Sequence, residues 1–194
     1  MLFRPTNTYS IISEENFSQE ILNVEKKLSE YAITGTFNSF DNHTIAYEYF
    51  LVENPKASVI LLHGFTEFYK KLYEMTWYFL NMGYNVFMYD QRDHGLSERS
   101  CTNTSITHID DFNNYVLDLE YFVDNIVKPN SKNLPIHIMG HSMGGAVTGK
   151  HSLVTVRKPL DKTIGVGQLR CSYYLFICSI QSSVTDILHN RSRK

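Results

Sequence analysis

The strongest chemical signal in the sequence is the serine of residues 140–144 (GHSMG), a Gly-x-Ser-x-Gly pattern that directly follows a predicted buried strand. A serine hydroxyl attacks poorly unless it is exposed and meets a base. A sharp strand-to-helix turn would expose Ser142, and the flanking glycines permit the close backbone approach of such a turn. The next helix would turn free N–H groups and its positive dipole end toward a developing oxyanion. The alternative is a glycine-rich turn that carries an idle serine.

Two more polar motifs follow predicted buried strands. Residues 63–67 (HGFTE) follow the first strand, and residues 90–98 (DQRDHGLSE) follow the second. The carboxylates of the second motif could form a metal or acid–base pair, but Arg92 between them favours local ion pairs. His137 and His141 lie four residues apart, on one face of a strand. A metal would need a third ligand, so both are expected to be core histidines, and no metal site is predicted.

Hydrophobic spacing predicts the elements that position these motifs. Buried strands are predicted at 57–62, 84–89 and 134–139, amphipathic helices at 14–30, 72–82 and 110–127, and a hairpin from 33–40 and 44–52. The third helix is expected to break at Pro129 and Asn130. Strands that alternate with helices at this spacing predict an α/β fold with a doubly wound sheet.

The three motifs, in this order and each after a strand, resemble the α/β-hydrolase fold, and within it the monoacylglycerol lipase and lysophospholipase group, also described as serine aminopeptidase-like hydrolases. The resemblance covers about residues 30–147. It implies that Ser142 is the nucleophile and that the backbone N–H groups of Phe65 and Met143 form the oxyanion hole. One departure is Asp93, which stands where this group usually has a glycine.

The resemblance also implies a substrate. It implies hydrolysis of carboxylic esters of acyl lipids, monoacylglycerol or lysophospholipid, through an acyl-enzyme on Ser142 and without a cofactor. Amide or peptide substrates are an alternative in the same superfamily. Phe65, Phe68 and Tyr69 fit an apolar acyl pocket, although they could equally be core residues.

The acid and base of the triad are not found. The resemblance implies the order serine, acid, histidine, and the candidates after Ser142 are Asp161, Asp186, His151 and His189. Asp186 and His189 have the right order but lie only three residues apart, a spacing unlike that of a triad. The alternative function is therefore a catalytically incomplete product that lacks the triad acid and base.

The sequence changes character near residue 147. Residues 1–146 carry 10 Lys and Arg against 18 Asp and Glu, a net charge of −8, and residues 147–194 carry 8 against 2, a net charge of +6. Poor helix formers follow Val147, so the helix expected after the serine should fail there. The predicted division is an N-terminal helix or extension (1–30), a partial α/β-hydrolase core (31–147) and a tail of uncertain fold (148–194). The hypothesis is that the tail arose by frameshift, alternative splicing or truncation.

A different function class is nucleotide binding. Residues 144–150 (GGAVTGK) approach the P-loop pattern, but His151 stands where the Mg²⁺-coordinating hydroxyl belongs. P-loop-like nucleotide binding is therefore a remote alternative function.

Composition indicates the setting. The net charge of −2 does not point to nucleic acid. Three cysteines, no signal peptide and no membrane-spanning apolar run predict a cytoplasmic protein. The resemblance implies that its partner is a small acyl ester. Two further contacts stay open, namely peripheral membrane contact through the basic tail and self-association through the sheet edge beyond the third buried strand.

Overall fold

The computed structural model describes residues 1–6, 11–155 and 175–177. The strands are β1 (Ile33–Asn38), β2 (Thr44–Phe50), β3 (Ala57–Leu62), β4 (Tyr84–Tyr89), β5 (Ile136–His141) and β6 (Leu175–Ile177). The helices are α1 (Phe17–Ser29), a 3₁₀ turn (Tyr69–Leu72) that leads into α2 (Tyr73–Asn81), α3 (Asn113–Phe122), a π-helical turn (Val123–Val127), α4 (Lys128–Asn130) and α5 (Met143–Thr155).

The strands form one mixed sheet in the order β1-β2-β4-β3-β5-β6. β3 lies between β4 and β5 and is parallel to both, whereas the β1–β2 hairpin joins β4 in antiparallel pairing. The predicted α/β fold is therefore confirmed. Because parallel strands end at the same edge of a sheet, the loops after β3, β4 and β5 meet there. All three polar motifs lie in those loops.

The core has two layers, one on each face of the sheet. Val59 and Leu61 of β3 pack toward α1 and α2, and Ile60 and Leu62 pack toward α3 and α5. Every residue of β3 is buried. A strand covered on both faces needs a continuous apolar run, which is why this strand and β4 have the predicted bounds, while β5 begins and ends two residues later than predicted.

Two predicted helix ends are wrong. The third helix is expected to end at Val127 and to break at Pro129 and Asn130, but the helical run passes through Pro129 and ends at Asn130. Pro129 falls in the first turn of α4, where a missing N–H costs little. The failure expected after Val147 does not occur either, since α5 extends to Thr155. Val147 and Thr148 are buried, and tertiary packing outweighs weak intrinsic propensity.

The continuous α5 also contradicts the P-loop alternative. A P-loop wraps its backbone N–H groups around a phosphate, but residues 144–150 are helical. Thr148 donates its hydroxyl to the Gly144 carbonyl at 2.8 Å, and the Lys150 ammonium lies over the Phe112 ring at 5.6 Å. These residues therefore have no loop in which to hold a nucleotide.

The first residues of the chain contribute to the core. The Phe3 backbone exchanges hydrogen bonds with residues beside Val52, and its ring packs edge-on against Tyr31 and Trp77. Leu28 of α1 is fully buried. Phe3, Val24 and Leu28 thus pack onto the layer that contains α2.

The sheet edge beyond β5 is partly paired. β6 runs antiparallel to β5 and pairs with Met139, Gly140 and His141. The self-association expected at this edge stays a prediction, and β6 covers its last three residues. None of the helices in the described ranges is long and apolar enough to cross a bilayer.

Candidate active site

Ser142 lies at a sharp turn between the end of β5 and the start of α5. It is exposed and has a φ of +49°, a conformation that is costly for a residue with a side chain. A Cβ on Gly140 would come within 2.3 Å of the Gly144 backbone. The turn therefore needs glycine at position 140. This geometry agrees with the strand-turn-helix context that the motif predicts.

The loop after β3, residues 63–68 (the β3 loop), lies against this turn. A Cβ on Gly64 would lie 3.2 Å from the Ser142 Cβ and 3.0 Å from the His141 Nδ1. The structure therefore brings the two motifs together although more than seventy residues separate them. Only a glycine fits at position 64 without displacing its neighbours.

The Gly64 peptide groups are held on both sides. The Gly64 N–H donates to Glu67 Oε2 at 2.7 Å, and the His63 Nδ1 lies 2.7 Å from the Gly64 carbonyl oxygen. In a trans peptide the carbonyl and the next N–H point in opposite directions. Holding the Gly64 carbonyl therefore fixes the direction of the Phe65 N–H.

The two expected oxyanion donors are available. Within the described residues, neither the Phe65 N–H nor the Met143 N–H donates a hydrogen bond. Met143 is the first residue of α5, where N–H groups lack intrahelical partners. Both N–H groups can therefore donate to an external ligand oxygen.

His63 is a neutral, buried link between two loops. Its Nε2 accepts the Gln91 N–H at 3.0 Å, so its proton is assigned to Nδ1, which donates to Gly64. The Gln91 side chain donates back to the His63 carbonyl at 2.7 Å. Burial lowers the pKa of His63 to about 4. His63 is thus uncharged at neutral pH and joins the β3 loop to the loop after β4.

The loop after β4, residues 90–98 (the β4 loop), is organised around a buried carboxylate. Asp90 accepts the Tyr69 N–H at 2.7 Å and the Leu96 N–H at 2.8 Å. Burial raises the pKa of Asp90 to about 6. Both hydrogen bonds come from backbone N–H groups, and neither involves a reacting group. Asp90 therefore acts in the scaffold of the loop.

The expectation of ion pairs within this loop is wrong, because the partners of Arg92 lie outside it. Arg92 binds Asp118 of α3 at 2.6 Å and Asp41 of the hairpin turn at 2.9 Å. Although burial opposes it, these two carboxylates raise the pKa of Arg92. Arg92 thus joins three distant segments, which spacing within the loop could not reveal.

Asp93 takes the place of the usual glycine and adopts a glycine-like backbone, with φ +63°. Its carboxylate accepts the Ser100 N–H at 2.7 Å and hydroxyl at 2.8 Å, and the His108 N–H at 2.8 Å. These bonds outweigh burial and lower the pKa of Asp93. Asp93 therefore holds the following loop while tolerating the turn, as short polar residues can.

His141 is not the core histidine expected from its strand position. Its side chain is 47% exposed, and its Nδ1 lies 3.1 Å from Glu67 Oε2. The sequence does not indicate Glu67 as its partner, because nothing in the spacing links a residue of the β3 loop to the last residue of β5. Burial raises the pKa of Glu67, but the Gly64 N–H and His141 outweigh it and hold that pKa below its usual value.

The aromatic residues of the β3 loop divide into two kinds. Phe65 is 55% exposed and Phe68 39%, whereas Tyr69 is 3% exposed and belongs to the core. A groove of about 230 Å³ is lined by apolar side chains (Leu61, Leu62, Leu72, Met75 and Met139) and by Glu67, Lys71 and His141. Exposed Phe65 and Phe68 and this groove offer apolar surface near the β3 loop.

An acid and a base for Ser142 are not among its contacts. In the described ranges the Ser142 hydroxyl has no hydrogen-bond partner. His151 is buried in α5. Asp161, Asp186 and His189 lie outside the described residues, as does most of the basic tail expected to contact membranes.

Comparison with known proteins agrees with this geometry. A sequence model described as serine aminopeptidase, S33, matches residues 53–167, beyond the expected end near 147. A monoglyceride lipase of Saccharomyces cerevisiae is 33% identical over 146 residues, which cover 69% of this chain and 43% of that protein. Lysophospholipase L2 of Escherichia coli is 30% identical over 112 residues, 58% of this chain and 33% of that protein. The chain thus spans less than half of these relatives.

Solved structures show the same fold. A carboxyl esterase from Bacillus coagulans superimposes with a TM-score of 0.57 at 21% identity and covers 65% of this chain and 41% of that one. A soluble variant of the Saccharomyces cerevisiae monoglyceride lipase, in complex with a substrate analogue, gives a TM-score of 0.50 at 30% identity over 59% of this chain and 36% of that one. The described core is an α/β-hydrolase core.

Proposed function

The chain belongs to the serine aminopeptidase, S33 family, and we propose from this that it acts in the hydrolysis of carboxylic esters of acyl lipids, with Ser142 as the nucleophile. The observation that carries the proposal is the position of Ser142, exposed at a strained turn and in contact with Gly64 of the β3 loop. Strain at one exposed serine favours a functional role over an idle turn residue.

The proposed reaction proceeds through an acyl-enzyme. The Ser142 Oγ attacks the ester carbonyl carbon and gives its proton to a base, while the Phe65 and Met143 N–H groups stabilise the oxyanion. The C–O bond to the alcohol then breaks, and the alcohol leaves with that proton. Water attacks the acyl-enzyme, which releases the fatty acid and regenerates free Ser142. The base is to be sought outside the described residues, where Asp186 and His189 lie.

The substrate class is proposed from the relatives and the local surface. The relatives in yeast and Escherichia coli are named monoglyceride lipase and lysophospholipase. Exposed Phe65 and Phe68 and the apolar groove beside the β3 loop suit an acyl chain. The Ser142 end of the site remains polar. A single-chain acyl ester with a polar alcohol matches both properties.

A direct test measures fatty-acid release from monooleoylglycerol and lysophosphatidylcholine, and amine release from an amino-acid p-nitroanilide. We expect turnover of at least one ester and none of the anilide. Ser142→Ala should lower kcat by about 10⁴-fold or more. Ser105→Ala, which removes another exposed serine hydroxyl, is the matched control and should leave the rate unchanged. Equal activity of the two variants, or turnover of the anilide alone, would overturn the proposal.

A second candidate function is binding of an acyl ester without turnover. It is favoured by the absence of a partner for the Ser142 hydroxyl in the described ranges. A chain without a base would bind monooleoylglycerol, seen as a rise in melting temperature, but release no fatty acid. The same assay, run beside thermal unfolding, separates the two candidates.

A further inference from the structure

Glu67 joins the β3 loop to the turn that carries Ser142 through one carboxylate oxygen. Its Oε2 accepts the Gly64 N–H at 2.7 Å and lies 3.1 Å from the His141 Nδ1. Gly64 belongs to the same loop as Glu67, whereas His141 is the last residue of β5. One oxygen therefore fixes the relative position of two segments that meet only in the folded chain.

The contact leaves no free space around Gly64. An added Cβ there would lie 2.9 Å from Glu67 Oε2, 3.0 Å from His141 Nδ1 and 3.2 Å from Ser142 Cβ. The next peptide carries the Phe65 N–H. Because the peptide unit is planar, a shift of Gly64 moves that N–H with it.

The pair differs from an ordinary surface ion pair. Exposed pairs stabilise a fold little, because water screens them. Here the carboxylate also holds a backbone N–H, and such charge-assisted bonds are stronger than neutral ones. Loss of His141 would free the Glu67 side chain to turn away, and loss of Glu67 would leave the Gly64 N–H without its acceptor.

We propose that Glu67, anchored by His141, is a positioning residue that holds the Phe65 N–H in place to stabilise the oxyanion formed at Ser142. The proposal rests on the proposed function for its kinetic consequence. Its geometric part, the hold on Gly64, stands on the contacts alone. His63 adds to this support, because its Nδ1 holds the Gly64 carbonyl oxygen.

The kinetic test compares Glu67→Ala and Glu67→Gln with the unchanged protein on monooleoylglycerol. A misplaced oxyanion donor lowers kcat and leaves KM nearly unchanged, and loss of one donor costs about 10²–10³-fold. We expect Glu67→Ala to lower kcat by about tenfold to a hundredfold. Glu67→Gln keeps an acceptor oxygen and should recover part of the rate. His141→Asn keeps a donor near the position of Nδ1, so its kcat should be higher than that of His141→Ala.

Asp110→Ala is the matched control. It removes another histidine–carboxylate pair, His108 with Asp110 at 2.8 Å, which does not involve Gly64. It should leave kcat and KM unchanged. A fall in kcat in the control equal to that of Glu67→Ala would overturn the proposal, because any such pair would then matter equally.

A second readout does not depend on activity. In ¹⁵N-labelled protein, Glu67→Ala should shift the Gly64 amide resonance and speed its exchange with solvent, and His141→Ala should do so to a smaller extent. An unchanged Gly64 amide in Glu67→Ala would overturn the proposal even if kcat falls. If the unchanged protein releases no fatty acid, the proposed function fails, while the Gly64 amide still decides whether Glu67 positions the loop.

Discussion

The β3 loop and the β4 loop end neighbouring strands at one edge of the sheet, yet they differ in burial. Asp90, Gln91, Arg92, Asp93 and His94 of the β4 loop are all buried although all are polar. The β3 loop exposes Phe65 and Phe68 and leaves the Phe65 N–H without a partner in the described residues. The β4 loop directs its charged groups to partners within the fold, although Gln91 Oε1 and His94 Nε2 have no hydrogen-bond partner among the described residues. The tip of the β3 loop is instead exposed.

This difference in burial distinguishes a loop that supports the fold from a loop whose tip is exposed. Buried polar groups are costly unless they are bonded, so the β4 loop must be rigid, and its charges reach α3 and the hairpin. The β3 loop is held mainly at Gly64 and is otherwise open. Substitutions in the β4 loop should therefore lower stability, and substitutions at the tip of the β3 loop should leave stability nearly unchanged.

The largest effect is expected from Arg92→Ala. It would leave the buried Asp118 carboxylate without its main partner, and breaking a buried ion pair costs about 3–5 kcal/mol. Arg4→Ala breaks the exposed Arg4–Glu53 pair and should cost about 1 kcal/mol or less. Urea unfolding measures both. Equal losses would show that burial of the β4 loop is not what makes it a scaffold.

His63 of the β3 loop and Asp90 of the β4 loop should respond to acid in opposite ways. The pKa of His63 is lowered to about 4, so the unfolded chain binds its proton first and stability falls as pH drops from about 6.5 to 4. The pKa of Asp90 is raised to about 6, so the folded chain binds its proton first and stability rises as pH drops from about 6 to 4. The two effects should nearly cancel between pH 6 and 4.

Asp90→Asn removes one side of this balance. Without the Asp90 contribution, the free energy of unfolding should fall from pH 7 to pH 4 by about 2–3 kcal/mol more than it does in the unchanged protein. Urea unfolding at several pH values measures the slope. Parallel pH profiles for the two proteins would contradict the opposed titration of His63 and Asp90.

Asp93 offers a smaller test, because its backbone and its carboxylate can be separated. Asp93→Gly keeps the φ of +63° without strain but loses three accepted bonds, at a cost of about 1–3 kcal/mol. Asp93→Ala should cost about 1 kcal/mol more, since alanine also bears the backbone strain. A gain in stability for Asp93→Gly would mean that the carboxylate contributes nothing to the loop.

The smallest stability effect is expected at the tip of the β3 loop. Phe65→Ala removes an exposed ring whose ring contact is edge-on with His94, so the free energy of unfolding should change by about 0.5 kcal/mol or less. KM for monooleoylglycerol should rise instead. A loss as large as that of Asp93→Gly would place Phe65 in the scaffold and remove the contrast between the loops.

The sequence predicted the strands and the motifs well, because both are local. β3 and β4 are largely apolar runs, and the turn at Ser142 follows from the glycines around it. α5 was predicted poorly, since burial of Val147 and Thr148 against other elements outweighs their weak helix propensity. Propensity alone could not show that burial.

The contacts that hold the site were beyond prediction for a similar reason. Arg92 pairs with Asp41, 51 residues away, and Glu67 pairs with His141, 74 residues away. Nothing in the local pattern of either motif marks its partner. Through a resemblance, the sequence predicts Ser142, Phe65 and Met143 as site residues, and that prediction remains to be tested by experiment. It does not indicate the residues that contact them.

The most direct test of the central claim is covalent labelling of Ser142 by a fluorophosphonate, read by mass spectrometry of the digested protein. The probe reacts when the serine Oγ attacks phosphorus and displaces fluoride, which requires an activated hydroxyl. We predict one adduct, on the peptide that contains Ser142, and none in Ser142→Ala. A folded protein that stays unlabelled, or an adduct on another serine, would contradict the account.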